Sequence, residues 1–205
     1  MPWLPPGARV RAERDCLSAD LGRACGARDR LPTPPEPSGR AACDPAGEPT
    51  VIEAQLSALG LELPEAATPA FHYVPVTVHE CVAYVSGQLP RVGAGLSVTG
   101  KVGGDVSVAQ AQEAARICVL QGLACLKQTL GSLDRIERVL KLTGFVASAE
   151  GFAQQPTVID AASRLLTAIF GEHGRHARSA VGVAELPRNA PVEIEMIVAV
   201  SSTGE

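Results

Sequence analysis

Aromatic residues are nearly missing from this chain, with one Trp, two Tyr and four Phe among 205 residues. A core without aromatic bulk has to be built from Val, Leu, Ile and Ala, and a hydrophobic content of 46% suffices for one domain of that kind. Few aromatics also mean few platforms on which unpaired bases could stack. Positive charge is not in excess either. The net charge is −4, which offers a phosphate backbone no attraction and argues against a nucleic-acid binder. No apolar run approaches the roughly 20 residues needed to cross a bilayer, so no membrane role is expected. The six cysteines (Cys16, Cys25, Cys43, Cys81, Cys118 and Cys125) contain no C-x-x-C pair. Cys118 and Cys125 lie among helix formers, so buried thiols in a reducing, cytoplasmic setting are expected rather than disulfides.

The chain divides into two regions of different character. Residues 1–49 hold nine of the sixteen prolines, and seven arginines balanced by seven acids, with no sustained apolar period. Such a segment has too little apolar surface to offset the entropy of ordering, so a disordered extension is expected. It has no apolar stretch of the secretory kind, and its acids are foreign to a mitochondrial leader. A blander reading is that the extension is a start-site artefact, the natural protein beginning near Val51. Residues 50–205 then form the folded domain.

In that domain, residues 51–59 suggest a short helix ended by Gly60 and Pro64. FHYVPVTVHE and CVAYVSGQLP read as strands, and a Gly-rich loop runs from Val92 to Asp105. Ser107 is a plausible N-cap for VAQAQEAARICVLQGLACLKQTL, whose stripe of Val108, Ala111, Ala115, Cys118, Val119, Gly122, Cys125 and Leu126 has helical spacing. IERVLKLTGFVAS reads as a strand and TVIDAASRLLTAIF as a second helix closed by Gly171. Residues 174–200 read as a terminal hairpin. The order predicts an α+β sandwich, two helices on one face of a mixed sheet.

Several motifs fall short of chemistry. GLSVTGKV approaches a phosphate loop, but Val102 stands where a hydroxyl should meet Mg²⁺ and no helix follows Lys101 directly. His173 and His176 are three apart, yet neither they nor the distant His72 and His79 make a zinc set, so no metal is expected. Ser86 lacks the G-x-S-x-G elbow; Ser86 and Gly87 read instead as a strand end with exposed backbone N–H groups able to hold an anion.

The last strand, PVEIEMIVAV, alternates Val192, Ile194, Met196, Val198 and Val200 against Glu193, Glu195, Ile197 and Ala199. A carboxylate in such company either sits on a wet face or lines a charged pocket, where a cation or ligand must offset its burial. Arg178, at the start of the preceding strand, is the candidate cation.

The landmarks VSGQLP (85–90), AQEAARICVLQGL, LDRIERVLKLTGFVAS and above all HARSAVGVAELPRNAPVEIEMIVAV, spread over residues 51–200, resemble the RidA/YjgF family of reactive-intermediate deaminases, also labelled L-PSP endoribonucleases. The resemblance implies a chorismate-mutase-like fold assembled as a homotrimer, with ligand clefts between subunits. It places Arg178 on the substrate carboxylate and Glu193 on the water as the catalytic pair. Tyr73, Ser86 and Gly87 would line the cleft. It implies no cofactor and a small carboxylate partner, a 2-imino or 2-oxo acid. A planar guanidinium fork suits a carboxylate better than an ammonium does.

Three departures mark a divergent branch. Ala180 stands where the family often has cysteine, the Gly-rich loop is long, and the second-helix asparagine has no secure counterpart, leaving Ser163 or Asp160. The expected activity is hydrolytic deamination of 2-imino acids and enamines. A non-catalytic, carboxylate-binding regulator is the alternative, and an endoribonuclease ranks third.

Overall fold

A computed structural model describes residues 50–66, 68 and 71–202; the expectations for residues 1–49 lie outside it. The first helix, α1 (Val51–Ala58), opens on a reciprocal cap in which the Thr50 hydroxyl accepts from the Glu53 amide. Its first amides are also satisfied from afar, since the Val51 and Ile52 N–H groups donate to the Asp134 carboxylate at 3.0 and 2.9 Å. Glu53 forms an ion pair with Lys127, which holds its carboxyl below the ordinary range, with the Thr50 amide assisting. With Leu56 in the core, these contacts fix α1 to the body of the domain.

Seven strands follow: β1 (Val76–His79), β2 (Val82–Gln88), β3 (Arg91–Val92), β4 (Gly95–Leu96), β5 (Ile136–Ala147), β6 (Ala177–Val183) and β7 (Val192–Val200). Five of them make one sheet in the order β1-β2-β7-β5-β6, while β3 and β4 form a separate small ladder. Every pairing in the large sheet is antiparallel except β5 with β6. A parallel pair needs a crossover, and helix α3 (Gln155–Phe170) supplies it. The expected terminal hairpin is thus corrected. β6 and β7 are not neighbours, because β5 lies between them. The partners of β7 are β2 and β5, both antiparallel, which cover both of its edges.

Helix α2 (Val108–Leu130) starts at Ser107, whose hydroxyl accepts from the Gln110 amide, and ends at Gly131 with φ 82°, the left-handed geometry glycine tolerates. Its predicted stripe is buried except at Val108, which is half-buried. The small residue Gly122 lets the helix ride close on the sheet, since a Cβ there would collide with the Met196 side chain. Gly144 does the same for α3, where a Cβ would run into Ile159. Both helices therefore cover one face, with Leu123, Leu126, Leu142, Ile159, Leu166, Ile194 and Met196 fully buried between layers. The other face of the sheet, carrying Tyr84, Lys141, Thr143 and Glu195, has no layer over it among the described residues.

The Gly-rich loop is more ordered than a mere connector. Lys101 is ion-paired to Glu185 at 2.8 Å, and Val102, fully buried, bridges to Val106 and Ser148. Among the described residues no group of His, Cys, Asp or Glu could hold a metal ion, and no helix is long and apolar enough to cross a membrane.

Candidate functional site

The predicted site residues fall into two clusters. The first gathers around a break in register between Val85 and Gln88 on β2. Such a break frees residues from the ladder. The freed pair, Ser86 and Gly87, does two different jobs. Ser86 donates its hydroxyl to the Val74 carbonyl at 2.8 Å and its N–H to the Pro75 carbonyl at 2.9 Å. The Ser86 N–H expected to be exposed is therefore engaged, and the serine ties the segment bearing Tyr73 to β2. The Tyr73 ring itself remains half in solvent, at 47% exposure. Gln88, buried, donates to the Ser86 carbonyl at 2.9 Å and stiffens the break from the core side.

Gly87 makes room. A Cβ at that position would overlap the Glu193 carboxylate, so the carboxylate lies directly over the glycine backbone. Glu193 is half-buried, and burial, then the nearby charge of Glu195, push its carboxyl above the ordinary range. No cation and no hydrogen-bond donor among the described residues meets it. Beneath it, Cys118 is fully buried, and burial together with the Glu193 charge pushes its thiol up. The carboxylate is thus half-buried, without the cation that the charged-pocket reading called for.

The second cluster sits where α3 meets the edge strand β6. Arg178 donates to the Ser163 hydroxyl at 3.1 Å and pairs with Asp160 at 3.4 Å; its side chain is 28% exposed. Asp160 is shared with Arg164 at 2.6 Å, and Arg164 first, Arg178 second, hold its carboxyl low. Both sequence candidates on the second helix thus contact the arginine, three residues apart on one helix face. His176, set aside in the sequence as no part of a zinc set, belongs here too. Its Nδ1 lies 2.6 Å from the Gly174 carbonyl and its Nε2 3.1 Å from the Ser163 hydroxyl. With the proton on Nδ1, the ring accepts from Ser163, which accepts in turn from Arg178. The available signal was parity: residues 176 and 178 point the same way from an extended chain.

These clusters do not meet within one chain. Arg178 is in register with Leu142, and Leu142 with Met196, both fully buried under the helices. Glu193 lies between buried Val192 and Ile194, and so projects to the opposite, open face. Arg178, the candidate partner for Glu193 on the preceding strand, is spent on Asp160 instead.

A five-stranded mixed sheet with helices on one face, carrying a carboxylate over a register break and a guanidinium on its edge, defines an α+β fold. Residues 53–198 match the family described as "YjgF/chorismate_mutase-like, putative endoribonuclease", and the chain belongs to that family. Protein TCP17 of Trypanosoma cruzi is 45% identical over 148 residues, which are 72% of this chain and 92% of its own. The crystal structure of Atu1372, a protein of unknown function from Agrobacterium tumefaciens, is similar with TM-score 0.69 and 51% identity, covering 74% of this chain and 93% of that one. Another, from Shewanella oneidensis and titled a "putative endoribonuclease", gives TM-score 0.71 at 33% identity, covering 74% of this chain and 100% of that one.

Proposed function

We propose that this chain is a hydrolytic deaminase of 2-imino acids and their enamine tautomers. Water adds to the C=N carbon, the nitrogen takes up a proton, and the resulting carbinolamine loses ammonia to leave a 2-oxo acid. Arg178 grips the substrate carboxylate through its planar fork. Glu193 orients the attacking water and carries its proton. One observation supports this reading above the others: Glu193 is half-buried over Gly87 with no cation to neutralise it and a raised proton affinity. A carboxylate kept in that state is a stronger base than one in water. Tyr73 and Ser86 would frame the cleft, and Ser163 would aim the arginine.

Because the two clusters lie on opposite faces of one chain, the reading requires a shared cleft. Arg178 of one protomer would face Glu193 and Gly87 of the next, in a homotrimer. Buried thiols at Cys118 and Cys125 suit a reducing cytoplasm. The test is release of ammonia and 2-oxo acid from imines generated in situ by an amino-acid oxidase. The Arg178→Ala variant is expected to lose about a hundredfold in kcat/KM. Equal rates for variant and wild type across several amino acids would sink the assignment.

A second reading rests on the Asp160 contact, which competes with any ligand for the guanidinium. On it, the protein binds small carboxylates without turnover. Stabilisation by 2-oxobutanoate in a thermal melt, with no deamination, would favour that reading. The name of the Lactococcus lactis relative, "Putative regulator AldR", 31% identical over 143 residues, points the same way. The ribonuclease label in the family description has the acidic charge of this chain against it.

A further inference from the structure

A cavity of about 660 Å³, lined by residues of neither cluster, opens between the segment after α1, strand β3 and α2. That volume lies within the range of small-molecule pockets. Leu63, Ile117 and Leu120 give it an apolar wall, and Arg91 and Gln121 share its lining. The Arg91 guanidinium makes no ion pair or hydrogen bond with any described residue, although Glu62 and Glu65 line the same cavity. Its Nε is buried without an acceptor. Gln121 is 4% exposed and donates its Nε2 to the Arg91 carbonyl at 3.0 Å, which fixes the amide orientation and leaves its Oε1 buried without a donor. A half-buried cation and a buried amide oxygen, both unanswered, are costs that a fold does not ordinarily retain.

The charge pattern of the lining narrows what could meet the Arg91 guanidinium. A phosphate or other dianion meets Arg91 but is repelled by Glu62 and Glu65. A plain amine finds the carboxylates and leaves Arg91 unpaired. A zwitterion satisfies both, with its carboxylate on the terminal guanidinium nitrogens, its ammonium toward Glu62 and Glu65, and an apolar side chain on Leu63, Ile117 and Leu120. We infer that this cavity is a binding site for an apolar α-amino acid, separate from the proposed deaminase cleft and independent of it.

Titration calorimetry on the full chain with L-leucine, 4-methylpentanoate and 3-methylbutylamine tests this. L-Leucine is expected to bind at least about tenfold tighter than either half-molecule, since each lacks one charged contact. Arg91→Met should weaken L-leucine by about tenfold or more. Ala66→Trp, which fills the cavity from its loop wall and leaves Arg91 in place, should abolish binding, with a native melt confirming that each variant folds. Arg178→Ala should leave the Arg91-dependent binding unchanged, so failure of the deaminase reading and failure of this one are told apart. No L-leucine binding up to about 10 mM would overturn the proposal. So would binding that survives both Arg91→Met and Ala66→Trp, or a crystal structure in which a neighbouring protomer fills the cavity.

Discussion

The contact between Gly87 and Glu193 shows how little separates a structural glycine from a functional one. An added methyl at residue 87 meets the far end of a flexible side chain, so the fold can yield at small cost while the carboxylate must swing away. Gly87→Ala is therefore expected to keep its melting temperature within a few degrees and, on the deaminase reading, to lose about a hundredfold in turnover, a split read by comparing melts with rates. Glu193 makes a pH prediction as well. Its folded carboxyl sits above the ordinary value of 4.5 because of burial and then Glu195. At low pH it is protonated whether folded or not, and no charge is buried. As pH climbs past that value the unfolded chain gives up the proton more easily, so stability falls until the folded group ionises too, and stays lower beyond. Glu193→Gln should match wild type in melts near pH 4 and exceed it near pH 8. At this scale the sequence was half legible. Arg178 and Glu193 stood out as charged residues among apolar ones, and the family resemblance left Ser163 or Asp160 as candidates, whereas the pairing of Gly87 with Glu193 joins positions far apart in the chain and leaves no local trace.

Among the elements, those governed by short-range rules were read well. The Ser107 cap, the buried stripe of α2 and the Gly131 and Gly171 stops all follow from spacing and side-chain chemistry within a few residues. Ser107→Ala should cost about 1 kcal/mol in chemical denaturation. Strand partnership was not so readable. Residues 174–200 hold two strands and a turn, which is how a hairpin looks, and only the crossover of α3 places β6 beyond β5. Gly174, at the end of that crossover, is a sharper test of packing than Gly87. A Cβ there would strike the Leu166 backbone, which cannot swing aside, and the Gly174 carbonyl also orients His176. Gly174→Ala should lose about 3 kcal/mol in denaturant melts and loosen the Ser163–Arg178 contact with it.

For the molecule as a whole, the separation of the two clusters leads to a test that a single-chain site would fail. Purified Arg178→Ala and Glu193→Gln proteins, each strongly impaired alone, are mixed under conditions that exchange subunits. A shared cleft is intact only when its arginine comes from one variant and its glutamate from the other, half the chance for each, so about one quarter of wild-type activity should return. No recovery after verified exchange would confine catalysis to one chain, which the opposed faces forbid, and the deaminase reading would fall with it.

The place of β7 carries a consequence for how the molecule comes into being. The strand latest in chain order is the one in the middle, gripped by β2 and β5. Until it arrives, the earlier strands can form only two separate ribbons, β1 with β2 and β5 with β6, each presenting a raw hydrogen-bonding border to the other. Synthesis thus passes through a stage in which nearly everything is present and the keystone is not, and a nascent chain paused there is the form most in need of shelter from its copies.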